Sequence, residues 1–169
     1  MRVLGVVVAL VVFGGVAQAQ APSGKPTGTL AQLMRGVFFP NSNLIFDVQA
    51  RDPEAPPEAA EDGSATSTYL NIYAGWQVVE NASIALAEAA NLLMFTDRMC
   101  ENGRPVPRDQ DDFAKAAMGM ETAARAAYEV AKTHDLDAMI EATNLLADAC
   151  ANCHDVYRRY PEENRCQKP

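Results

Sequence analysis

The sequence contains few of the side chains from which most metal and catalytic sites are built. Among its 169 residues there are two His, four Cys and one Trp, and aromatic residues make up only 7% of the chain. This small stock excludes a metal centre built from several histidines. Basic residues are also in the minority, with 14 Lys and Arg against 22 Asp and Glu and a formal net charge of −8. Such a chain repels a phosphate backbone, so we expect no nucleic-acid partner.

Long apolar runs are confined to the N-terminus. There a run from Val3 to Phe13 follows a single Arg and precedes Ala17-Gln18-Ala19. A basic start, a short apolar stretch and a small-x-small site are typical of a secretory signal peptide. We therefore predict a signal peptide over residues 1–19, cleaved after Ala19 or Ala21, and a periplasmic or otherwise exported domain with no membrane span in the mature form. A retained membrane anchor is the alternative interpretation.

The rest of the chain shows apolar residues at helical spacing and no alternating strand pattern. Thr29 and Gln32 form a capping box at the start of the first helix, which Pro40 is expected to end or kink. Further helices are predicted over about 68–98, 111–133 and 135–160, with a weak helical signal at 41–50 and an acidic crossover loop at 51–68. We predict an all-α fold, an antiparallel four-helix bundle over residues 29–160, with a flexible lead-in at 20–28 and a C-terminal tail at 161–169.

The most specific motif lies near the end of the fourth predicted helix. Cys150-Ala151-Asn152-Cys153-His154 is a Cys-x-x-Cys-His sequence, in which two thiols form thioethers with haem vinyl groups and the imidazole is the proximal iron ligand. A thioredoxin-like redox pair, half of a zinc site and two buried structural cysteines are the other interpretations. The redox pair is typical of a helix N-terminus beside a strand, and the zinc site needs a second pair of ligands. The sequence offers neither, and we predict one covalently attached haem c.

The stretch from Cys150 to Arg158 resembles the class II cytochromes c, which include cytochrome c′ and its methionine-ligated relatives. In that family the haem motif lies near the C-terminus of a four-helix bundle. An aromatic and a basic residue follow it three and four positions later, and these are Tyr157 and Arg158 here. A looser similarity covers Leu30 to Phe39, and the resemblance spans roughly residues 29–160. It implies that Tyr157 and Arg158 belong to the haem site.

Two methionines are candidates for the distal iron ligand. In an antiparallel bundle the end of the fourth helix meets the start of the first and the end of the second, which brings Met34 and Met94 near an iron held by His154. The resemblance favours Met34, because the first helix of the family covers the distal haem face. The alternatives are that Met34 only packs in the core and that the iron is five-coordinate. His134 is excluded, since twenty residues of helix place it about 30 Å from His154.

The remaining cysteines follow the second and fourth predicted helices, at the same end of the bundle. We predict a disulfide between Cys100 and Cys166, which export permits, and two free thiols are the alternative. Arg98 and Arg158 are both candidates to pair with the haem propionates, and the sequence does not select between them.

These features predict a carrier of single electrons rather than an enzyme. A His/Met-ligated haem cycles between ferric and ferrous iron without binding substrate, so we expect redox proteins as partners and no catalytic residue. The alternative is a five-coordinate, cytochrome c′-like protein that binds nitric oxide or carbon monoxide. A peroxidase-like enzyme would need a distal acid–base group, for which no His remains. The resemblance also implies a homodimer, since members of the family often pair through the first two helices.

Overall fold

The computed structural model describes residues 25–56, 74–159 and 161–168. The predicted signal peptide and much of the predicted acidic loop lie outside these ranges. The elements are α1 (Leu30–Leu33), a π-helix (Met34–Phe38), α2 (Phe39–Phe46), a 3-10 turn (Asp47–Gln49), α3 (Trp76–Ala90), a 3-10 turn (Asn91–Met94), α4 (Asp111–Ala131), α5 (Leu136–Tyr157) and a 3-10 turn (Glu162–Asn164). No β-strand occurs in the described ranges, which contain one isolated antiparallel bridge. The all-α prediction is confirmed.

The first helical segment, residues 30–49, begins as the sequence predicts. The Gln32 amide donates a 3.2 Å hydrogen bond to the Thr29 hydroxyl, and the Thr29 amide donates one of 2.9 Å to the Gln32 side chain. Pro40, however, does not end the helix, which continues through α2. Proline lacks an amide hydrogen and crowds the carbonyl four residues earlier. The wider π turn ahead of it, in which the Phe39 amide donates to the Met34 carbonyl, accommodates this defect.

The later helices differ from the predictions mainly at their ends. Helix α3 and its 3-10 turn end at Met94, so the predicted end at Arg98 is wrong. Helix α5 is capped by Asp135, as predicted, because the Asp135 carboxylate accepts a 2.9 Å hydrogen bond from the Ala138 amide. It ends at Tyr157, three residues before the predicted boundary.

The helices pack in a ring that follows the chain order. Helix α3 packs on α4 and α4 on α5, while α2 contacts both α3 and α5. The short connection between α4 and α5 makes these two helices antiparallel neighbours. The largest fully buried apolar side chains are Phe113, Ile45, Leu86, Met139 and Leu146. None of the helices in the described ranges is long and apolar enough to span a membrane.

A disulfide joins the connection between α3 and α4 to the C-terminal tail. It links Cys100 to Cys166, which confirms the predicted pair. Close by, the Leu30 amide donates a 2.8 Å hydrogen bond to the Met99 carbonyl, which fixes the start of α1 against the same connection. The start of the first helical segment, the connection and the tail are therefore held together at one end of the bundle.

Candidate haem site

The end of the bundle that carries the disulfide encloses a cavity of about 280 Å³. Side chains from the first helical segment, α3 and its 3-10 turn, α4, α5 and the tail line it. All six site residues predicted from the sequence are among them, namely Met34, Cys150, Cys153, His154, Tyr157 and Arg158. Residues more than a hundred positions apart in the sequence therefore meet at one cavity.

Most of the cavity wall is apolar. The apolar side chains that line it, besides those predicted from the sequence, include Leu30, Phe38, Leu86, Leu93, Phe113 and Met120. Such a lining, with a few polar groups at fixed positions, is typical of a site for a largely apolar cofactor.

Cys150 and Cys153 are half-buried and free, and they are not joined to each other. Burial raises the pKa of the Cys150 thiol, and it raises the pKa of Cys153 to about 11. Both groups are therefore neutral thiols at physiological pH, whereas a reactive redox pair depends on a lowered thiol pKa. Within the described ranges no group of three or more His, Cys, Asp or Glu side chains could hold a metal ion, so a zinc site lacks its further ligands.

His154 lies one turn before the end of α5 and is half-buried. Burial lowers the pKa of its imidazole, and the neighbouring Arg158 guanidinium lowers it further. A neutral imidazole keeps a nitrogen lone pair available for a metal ion. Two neutral thiols and a neutral imidazole on an apolar cavity form a donor set that fits haem c.

Tyr157 connects the cavity wall to α4. Its side chain is 4% exposed, its ring packs edge-on against Phe113 at a centroid distance of 5.2 Å, and its hydroxyl donates a 2.7 Å hydrogen bond to Asp112. Burial, and then the hydrogen bond to Asp112, raise the pKa of Tyr157 far above its usual range. The phenol therefore stays protonated and holds the end of α5 against the start of α4.

The two methionines that are candidates for the distal iron ligand differ in their position relative to the cavity. Met34 is half-buried and lies at the start of the π-helix, whereas Met94 packs against the core and does not line the cavity. Met120, at an inward-facing position of the helical pattern over 111–133, was not predicted as a site residue. It lines the cavity at 5% exposure, with its sulfur 4.0 Å from the Cys150 sulfur. Its inward position in the helical pattern was the only sequence signal.

The structure separates the two arginines between which the sequence does not select. Arg98 is buried at 6% exposure and donates to the backbone carbonyls of Leu92 and Gly28, at 3.1 and 2.7 Å, so it serves the fold and does not line the cavity. Arg158 does line it, together with Arg35 and Arg165, neither of which was predicted as a site residue. No local motif marks either one, because both reach the cavity through the tertiary fold.

His134 lies at the other end of the bundle. Its ring stacks on Trp76 at a centroid distance of 5.2 Å and an angle of 5°, beside a more open pocket of about 480 Å³. It does not line the cavity described above.

A family model described as Cytochrome C′ matches residues 105–158. The matched segment contains α4, α5 and the Cys-x-x-Cys-His motif on the cavity wall. This match supports a class II cytochrome c family for the chain. The family that this segment matches carries haem c, and its members are generally haem carriers rather than enzymes and are typically periplasmic. The match begins after the first helical segment, so it does not bear on ligation by Met34. The chain matches none of the curated proteins and none of the solved structures.

Proposed function

We propose that the protein is a class II cytochrome c that carries single electrons in the periplasm, with Cys150 and Cys153 holding one haem c and His154 and Met34 serving as the side chains that would bind its iron. The observation that supports the proposal is the convergence of these four side chains on one apolar cavity. Other redox proteins are its partners, and no residue of the chain acts as a catalyst.

Each residue has a definite task in this proposal. The thiols of Cys150 and Cys153 would hold the haem by adding across its two vinyl groups, each thiol hydrogen going to the neighbouring vinyl carbon as the carbon–sulfur bond forms. The haem supplies a ferric/ferrous couple that accepts or releases one electron. The neutral His154 imidazole and the Met34 thioether would bind the iron, and a thioether ligand would raise the reduction potential. The apolar wall excludes water, and Tyr157 fixes the helix that carries the attachment motif.

The second candidate function is binding of nitric oxide or carbon monoxide to a five-coordinate iron. The apolar side chains of Leu30 and Phe38, which line the cavity beside Met34, are the observation that favours it. If Met34 only packs in the wall, the distal side of the iron is an apolar space that admits a diatomic gas.

Visible spectra of the oxidised and reduced protein, with and without carbon monoxide, distinguish the two functions. We expect low-spin spectra that carbon monoxide does not change. Met34→Ala should become high-spin and bind carbon monoxide, whereas Met120→Ala, which removes a second methionine from the same cavity, should keep the wild-type spectra. Ready binding of carbon monoxide by the wild type would contradict the carrier and support the second candidate.

Covalent attachment is tested by the mass of the protein after denaturation. Cys150→Ser and Cys153→Ser should each retain a haem through a single thioether, and the double variant should lose its covalent haem. Replacement of both Cys100 and Cys166 by Ser is the matched control, because it also removes two sulfurs at this end of the bundle. This control should keep both thioethers.

Export and pairing are separate parts of the proposal. N-terminal sequencing of the mature protein should begin at Gln20 or Pro22. Pairing of two copies through the first helical segment is supported by Phe39 and Leu44 of α2, which are 68% and 45% exposed. Sedimentation should show a dimer that Phe39→Ser dissociates and Met118→Ser, on α4 at 58% exposure, leaves intact.

A further inference from the structure

We infer that Arg165 binds a propionate carboxylate of the haem and that the disulfide between Cys100 and Cys166 positions it. This inference rests on the proposed function, since it assigns a residue of the C-terminal tail to the same cavity. Arg165 lines that cavity together with Cys166, its neighbour in the chain.

The guanidinium of Arg165 has an unused hydrogen-bond donor. Its Nε is buried and, within the described structure, has no hydrogen-bond partner. Buried donors are nearly always paired, and an unpaired one on a charged group indicates a missing acceptor.

The other side of the same guanidinium is already occupied. Its Nη1 lies 3.5 Å from a carboxylate oxygen of Glu101 and 3.4 Å from one of Glu162. A guanidinium is planar and presents two donors along one edge to a carboxylate. The edge formed by Nε and Nη2 therefore remains for a further acid.

The described residues of the cavity wall do not supply that acid. Glu101 is the single carboxylate among the lining residues, and it accepts hydrogen bonds of 2.9 and 2.8 Å from Arg35. A haem, by contrast, brings two propionate carboxylates. A propionate is the acceptor that fits the free edge of Arg165.

The tail holds Arg165 on both sides. The adjacent Cys166 is bonded to Cys100, and its amide donates a 2.9 Å hydrogen bond to the Tyr157 carbonyl. The Asn102 side chain donates a 3.0 Å hydrogen bond to the carbonyl of Arg165 itself. The disulfide thus fixes the tail over the cavity, and without it the guanidinium loses its fixed position.

The reduction potential of the haem reports this contact. A fixed positive charge near the iron favours the ferrous form, which carries one positive charge fewer than the ferric form. Arg165→Gln should therefore shift the ferric/ferrous equilibrium toward ferric by about threefold to tenfold, the order expected for one unit charge near a buried redox centre. Arg165→Lys keeps the positive charge, so its ferric/ferrous equilibrium should stay close to that of the wild type.

The control is Arg104→Gln, which removes the same charge from an exposed residue of the adjacent connection that does not line the cavity. Infrared difference spectra between the reduced and oxidised proteins give the second readout. The propionate carboxylate bands should move in Arg165→Gln and stay in place in Arg104→Gln.

The disulfide is tested in the same titration. Replacement of both Cys100 and Cys166 by Ser should shift the equilibrium in the same direction as Arg165→Gln, and adding Arg165→Gln to that background should produce no further shift. Full additivity of the two effects would overturn the positioning role of the disulfide.

Haem content is measured before any potential. A wild-type protein without haem would overturn the proposed function and this inference together. A wild-type protein with haem in which Arg165→Gln behaves like Arg104→Gln would overturn this inference alone.

Discussion

Tyr157 at the end of α5 donates a 2.7 Å hydrogen bond to Asp112 at the start of α4. The other carboxylate oxygen of Asp112 lies 3.1 Å from the ammonium of Lys168 in the tail. One carboxylate thus connects two helices and the tail at the cavity end. The Tyr157 hydrogen bond, and then Lys168, hold the pKa of Asp112 below its usual range.

Tyr157→Phe should therefore lower the stability of the fold above about pH 4, where Asp112 is ionised in the folded and unfolded chain. A group with a lowered pKa stabilises the fold above its ordinary pKa, and this contribution is lost as the pH falls through the folded value. We expect a decrease of a few degrees in Tm at pH 7, which shrinks near pH 3.

Thermal unfolding followed by circular dichroism at the two pH values measures this. Tyr128→Phe is the control, because the described structure shows no hydrogen bond from the Tyr128 hydroxyl. An equal loss at pH 7 and pH 3 would mean that Tyr157 acts through packing and not through Asp112.

The disulfide should make a large contribution to stability. It connects residues 66 positions apart, and in the chain-entropy model closure of a loop of this length contributes about 4 kcal/mol. Replacement of both Cys100 and Cys166 by Ser should lower the free energy of unfolding by about that amount in denaturant titrations.

Alkylation provides the check on the bond itself. Without reductant, the folded wild type should take no label at Cys100 or Cys166. Reductant should lower the free energy of unfolding of the wild type toward that of the double variant. It should leave the free energy of unfolding of the variant unchanged. Labelling of both thiols in the folded, unreduced protein would contradict the prediction.

Features that depend on a few neighbouring residues were predictable from the sequence. The capping box of Thr29 and Gln32 and the cap at Asp135 are local hydrogen-bond patterns, and the structure contains both. The pairing of Cys100 with Cys166 needed one further step, the order in which the helices alternate along the bundle.

Features that depend on distant contacts were not predictable in the same way. Arg35 donates a hydrogen bond to Glu101, which is 66 residues away in the sequence. Arg98 donates one to the carbonyl of Gly28, which is 70 residues away. Hydrophobic periodicity does not predict such pairings, so Arg165 was not predicted as a site residue. The π turn before Pro40 was missed because the sequence pattern assumes a regular helical period.

Two glycines in this fold should respond oppositely to the same substitution. Gly75 precedes α3 with φ of 61°, and a Cβ there would lie 2.7 Å from the Pro53 carbonyl oxygen. Gly119 lies inside α4, and a Cβ there meets nothing within 4 Å. Gly75→Ala should destabilise the protein by about 1–3 kcal/mol, and Gly119→Ala should stabilise it by about 0.5–1 kcal/mol.

The pair is measured by urea unfolding of the two variants beside the wild type, and each glycine serves as the control for the other. A gain in stability for Gly75→Ala would show that the backbone before α3 relaxes to an ordinary conformation. A loss for Gly119→Ala would show that α4 packs more tightly at this position than the open space indicates.

Arg98 should act on stability and not on the haem. It is buried, burial lowers the pKa of its guanidinium, and its two hydrogen bonds join the backbone before α1 to the 3-10 turn after α3. The lysine ammonium does not have the planar guanidinium arrangement in which two separate nitrogens donate to the two carbonyls. Arg98→Lys should therefore lower the free energy of unfolding by about 2 kcal/mol, although the charge is kept.

Measuring the reduction potential distinguishes this structural role of Arg98 from pairing with a haem propionate, for which the sequence made Arg98 a candidate. Because Arg98 does not line the cavity, Arg98→Lys should leave the potential at the wild-type value, and the exposed Arg104→Lys should change neither quantity. A shift in potential without a loss of stability would give Arg98 a haem-binding role. It would also mean that the tail residue Arg165 shares the propionates with a residue outside the cavity wall.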